Sequence, residues 1–60
     1  MFKPGDTVEI LKGPKEGRRV KVTELNTFER FGSKIPIVFV DIDGKSRWYY
    51  PIELKLINKI

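Results

Sequence analysis

Lys12, Lys15, Arg18, Arg19 and Lys21 fall close together in the first third of the chain, with Glu16 as the acid among them. Long cationic side chains gathered around Gly13-Pro14 and Gly17 suit the holding of an anion, and a phosphate backbone is the commonest partner for such an excess. Lys45 and Arg47 repeat the theme beside three consecutive aromatics, Trp48, Tyr49 and Tyr50. Cations next to a flat exposed ring make a surface that grips a backbone and stacks a base. On a strand, Trp48 and Tyr50 would face one side and Tyr49 the other, and a small domain cannot bury both sides fully. Trp48 or Tyr49 is therefore the expected stacking residue. Phe28 and Phe31, on either side of Arg30, pose the same choice between plug and binding edge. There the expectation is that they tuck down as a plug.

Other chemistries find little to work with. The chain has no cysteine and no histidine, which removes disulfide frameworks and Cys/His zinc sites and leaves carboxylate, lysine or tyrosine as the only catalytic groups. Glu9, Glu16, Glu24, Glu29 and Glu53 are scattered, and Ser33 and Ser46 have no histidine to activate them. Asp41-Ile42-Asp43-Gly44 brushes the calcium-loop pattern, yet Ile52 stands where the bidentate glutamate belongs, so a turn accounts for it. No enzymatic activity, metal or cofactor is expected.

The elements that must position these groups are strands. Val8 and Ile10 in 7–12, and Val20 and Val22 in 19–23, alternate with polar residues, giving two short strands with one apolar face each. Gly13-Pro14 and Gly17 supply the reversal between them. Residues 25–34 show no alternation and are expected to form a long loop. Residues 35–42, IPIVFVDI, make the most apolar run and the expected central strand, with Pro36 at its entrance. Asp43-Gly44 marks a tight primed turn, residues 46–50 the returning strand, and Pro51 its stop. One helical turn at 52–54 and a last strand at 55–57 complete an all-β fold of five strands. The core is expected from Val8, Ile10, Val20, Val22, Ile37 or Val38 with its alternate partners, Leu54 and Leu56.

Sixty residues make one domain, residues 1–60, in which a chain of this size buries about 60% of the surface it exposes unfolded. The net charge of +4 and a pI near 9.6 favour an anionic partner. The amino-terminal residues carry no apolar signal-peptide core and no run approaches the roughly 20 residues of a membrane span. A cytoplasmic protein with no membrane partner is the expectation.

Residues 5–22, GDTVEILKGPKEGRRVKV, resemble the KOW motif of ribosomal proteins and NusG-type factors. Gly5-Asp6, Val8, Ile10, Gly13, Gly17, Arg18-Arg19, Lys21 and Val22 follow its order, and Val20 replaces its central glycine. Residues 48–57 resemble the close of SH3-like domains in Tyr50, Pro51, one helical turn and Leu56-Ile57. These resemblances imply a five-stranded SH3-like barrel. The function they and the charge suggest is a module that binds RNA or DNA through phosphate contacts with low sequence specificity. Its expected surface is Lys12, Lys15, Arg18, Arg19, Lys21, Lys45, Arg47, Trp48 and Tyr49. The alternative is an SH3-like protein-interaction module or accessory subunit that docks on an acidic or apolar protein surface through the same aromatics.

Overall fold

The computed structural model describes residues 2–57. Among them, five antiparallel strands form one sheet: β1 (Thr7–Ile10), β2 (Arg19–Arg30), β3 (Ser33–Ile42), β4 (Lys45–Tyr49) and β5 (Leu54–Leu56), with a 3-10 turn at Pro51–Glu53. The strand order is β4-β3-β2-β1-β5. β1 to β4 are therefore a meander of hairpins, and β5 returns to the free side of β1. Among the described residues no ladder joins β4 to β5, so the sheet is open.

The alternating apolar positions meet on one face. Val8 lies opposite Val20 on β2, Val22 opposite Val40 on β3, and Ile10 opposite Leu54 on β5. With Val38 and Ile42 these residues form the buried core, against which Phe2 and Tyr49 pack. β-branched side chains dominate it, as a pleated surface favours. Leu56, expected in this core, is 45% exposed. It shares the face of Val8, but β5 stands at the end of the sheet with a neighbour on one side alone.

The largest departure from expectation lies at 25–34, which is no loop. β2 continues to Arg30 and β3 begins at Ser33, so the two strands are joined by Phe31-Gly32. Both turn residues have positive φ, 51° and 77°, the signature of a primed two-residue turn. Two features hide this hairpin in the sequence. A bulge inserts Thr23 between Val22, opposite Val40, and Glu24, opposite Phe39, so the apolar parity shifts from Val20 and Val22 to Leu25. Beyond the bulge the hairpin also outruns its neighbours: β1 pairs β2 only at 19–21, and β4 pairs β3 only at 38–42. Burial along that ribbon is partial and uneven, so the alternation is not legible there. Pro36 sits in this outrunning part, where its missing N–H costs no bond on the β4 side.

At the other hairpin Asp43 and Gly44 take φ of 53° and 81°, as a primed turn requires. The 3-10 turn is held by Glu53, whose N–H donates to the Tyr50 carbonyl at 2.9 Å and whose Oε1 accepts the Tyr50 N–H at 3.0 Å. Its carbonyl also accepts the Leu11 N–H at 2.9 Å, one residue past the end of β1, which stops at Ile10 rather than Lys12. Val22 is 2% exposed, so Val22→Ala should cost about 1 to 3 kcal/mol through lost burial and the cavity left behind. Leu56→Ala should cost clearly less. Thermal or urea melting of the two variants checks this, and equal losses would contradict the placement of the core.

Candidate nucleic-acid interface

The loop between β1 and β2, residues 11–18, is closed at its base by two backbone bonds. The Ile10 N–H donates to the Arg18 carbonyl at 2.9 Å and the Gly17 N–H to the Ile10 carbonyl at 2.7 Å. That base is then fixed to a distant part of the chain. Arg18 reaches Asp43 in the β3–β4 turn with both terminal nitrogens, at 3.0 and 3.3 Å, a bidentate fork that a lysine could not make. The loop cations and the β3–β4 turn thereby become one surface. Part-buried Lys15 acts on the same Asp43, while Lys12 lies on the loop and Lys45 just past the turn, both exposed.

Each expected site residue can now be placed. Arg19 and Lys21 lie on the sheet face opposite the core, and both have acids beside them. Arg19 Nε is 4.0 Å from Glu9 Oε1, and Lys21 stands opposite Asp41. Lys45 and Arg47 are opposite Ile42 and Val40 on β4, hence on the core-side face, yet exposed because β4 ends the sheet. Trp48 is opposite Phe39 on the outer face and 48% exposed. Tyr49 turns inward, opposite Val38, and packs against the core, so Trp48 is the ring of the pair that is open to a ligand. Its edge meets Tyr50 at 5.2 Å between centroids and 82°, confirming that the two share a side.

The plug expected of Phe28 and Phe31 does not form. Phe28 is 44% and Phe31 95% exposed, at the free end of the β2–β3 hairpin. The Arg30 guanidinium lies over both rings, 5.8 Å from Phe28 and 5.7 Å from Phe31. This cluster is absent from the expected surface because a loop that folds back was assumed there. Gly32 directly after Phe31 was the available signal. On the core-side face of the same ribbon Phe2, Leu25, Thr27, Pro36, Val38 and Pro51 line an open groove of about 650 Å³.

Asp43 shows the local field. Arg18, first by its hydrogen bonds and then by its charge, holds the Asp43 carboxyl below the ordinary aspartate range, with Lys15 acting in the same direction. The Arg18 guanidinium is raised in turn by the same contact. Both side chains are well exposed, so the pair orients the loop more than it stabilises the fold. A carboxyl whose folded pKa is depressed adds its stability above the unfolded pKa and loses it as pH falls through the lower folded value. The small contribution of this pair therefore fades only in acid, below about pH 4. An NMR titration should give Asp43 a midpoint below that of a free aspartate, and Arg18→Gln should raise it toward the ordinary value. An unmoved midpoint would mean that the fork does not persist in solution.

Among the described residues no group of carboxylates is placed to hold a metal ion, and no helix is long and apolar enough to cross a membrane. Comparison with protein-family models, curated proteins and solved structures found no match.

Proposed function

We propose that this chain is a small SH3-like module of the KOW kind that binds nucleic acid mainly through its phosphates. The strand order and the 3-10 turn before β5 support the barrel reading. The Leu11 to Glu53 bond also carries that turn across to the end of β1. One observation supports the function above the others: the Arg18–Asp43 fork fastens the cationic loop to the β3–β4 turn, with Lys15 close enough to act on Asp43 and Lys45 two residues further along the chain. Phosphate contacts of this kind position a protein without reading bases. Trp48, open on the outer face, adds a stacking ring.

A second reading rests on the apolar groove between Phe2, Leu25, Pro36 and Pro51. There the partner is a protein surface, and association depends little on salt. Anisotropy titrations against short RNA, single-stranded DNA and duplex DNA separate the two. Phosphate binding should weaken with salt by about 0.7 in log K per decade for each contact on single strands and about 0.9 on duplex DNA. Lys15→Gln combined with Lys45→Gln should remove about two contacts' worth of that slope. Trp48→Ala should lower single-strand affinity by about 1 to 3 kcal/mol and leave the slope unchanged. Absence of binding at about 50 mM salt would reject the nucleic-acid reading in favour of protein docking.

A further inference from the structure

The tip of the β2–β3 hairpin combines three properties that stability does not explain. Phe31 occupies the first position of a primed turn at φ 51°, where asparagine, aspartate or glycine is the low-strain choice and a bulky residue is an outlier. Its ring is 95% exposed and so gains almost nothing from burial. What it does contact is the Arg30 guanidinium, which also covers Phe28, and an exposed cation–π contact contributes only about 0.5 to 1 kcal/mol. Strain is kept in folded proteins chiefly where function needs it.

We infer that Phe31 is a stacking finger for an unpaired base of bound RNA or DNA, with Arg30 set beside it to meet the adjoining phosphate. This inference rests on the nucleic-acid reading and narrows it to unpaired segments. Charge complementarity selects the occupant: Glu29 lies opposite Lys34 and balances it, whereas Arg30 lies opposite uncharged Ser33, leaving the tip a cation next to a bare ring. Magnitude selects the unpaired form. One base–aromatic stack is worth about 1 to 3 kcal/mol, while opening a paired step for a wedge costs a few. A single ring at the end of a two-stranded ribbon does not offset that cost, but it needs no such opening at a loop, bulge or single strand.

The test compares wild type, Phe31→Asn and Phe31→Tyr, each titrated with a single-stranded oligonucleotide and with a fully paired duplex. Phe31→Asn creates the favoured Asn-Gly turn, so its melting temperature should equal or exceed that of the wild type. Its single-strand affinity should fall roughly 5- to 150-fold, with the salt slope unchanged and duplex affinity unaffected. Phe31→Tyr, which keeps the ring, should retain binding. Unaltered single-strand affinity in Phe31→Asn overturns the inference while leaving phosphate binding by the loop intact. A lower melting temperature for Phe31→Asn overturns it too, because the ring would then be structural. No binding by the wild type to any oligonucleotide rejects both readings together. Phe31-dependent binding to phosphatidylserine vesicles without oligonucleotide binding would assign the tip to a membrane surface instead.

Discussion

Val22 opposite Val40, followed by an inserted Thr23 before Glu24 meets Phe39, is the point at which the β2–β3 hairpin changes character. On the near side both strands are covered, by β1 and β4, and supply Val20, Val22, Val40 and Ile42 to the core. On the far side β4 follows β3 only as far as Val38, and beyond it the two-stranded ladder continues with no further strand among the described residues. The Thr23 hydroxyl donates to the Phe39 carbonyl at 3.3 Å, satisfying a backbone group where the regular pairing is interrupted. Such a bulge increases the local twist. Two strands alone are marginal in water, so the distal ribbon depends on the packed half for its order. The extra residue thus shifts the apolar parity of β2 between the packed half and the aromatic tip.

Period-2 patterning was legible wherever a face is buried. Val8, Ile10, Val20 and Val22 read correctly, as did the Asp43-Gly44 turn and the one-turn helix before the last strand, because each has a local chemical cause visible in a few residues. The 25–34 segment was not legible, for reasons that are equally physical. A bulge breaks the count on which alternation depends, and along the ribbon beyond it apolar residues fall on both faces, Leu25 on one and Phe28 on the other. Phe31 at a positive φ is also the reverse of what turn chemistry leads one to expect. Site residues divide in the same manner. Charge and type marked Lys12, Lys15, Arg18, Arg19, Lys21, Lys45 and Arg47 as candidates, but sequence could not say that Arg18 spends its fork on Asp43 or that Tyr49 rather than Trp48 turns inward. Those facts depend on pairing register.

The cations are less free than their number suggests. Arg18 has Asp43, Arg19 has Glu9 within 4.0 Å, and Lys21 stands across from Asp41. Exposed pairs of this kind contribute little to stability and are screened by salt. They therefore leave the residues available to exchange one anion for another. Their effect is on geometry. A guanidinium fixed by a fork holds a loop still, and a loop held still gives up less entropy when it meets a ligand. In the proposed binding, Lys12, Lys15 and Lys45 would supply the attraction while Arg18 supplies the shape.

The same division bears on how binding and folding are linked. The core lies in the half of the sheet that includes the cationic loop, so a ligand held there meets a surface already ordered by buried valines. The tip lies at the end of a two-stranded ribbon whose local opening needs no disruption of that core, the kind of segment that opens at low free energy. Contact at the tip must therefore use part of its interaction energy in ordering the ribbon, which lowers its share of the affinity. A primed Phe-Gly turn limits that loss, because the turn sets the strand register, and Arg30 lying over both Phe28 and Phe31 restrains the rings before any ligand arrives. Positive φ at Phe31 and the Arg30 guanidinium over its ring are what this exposed hairpin has in place of a core of its own.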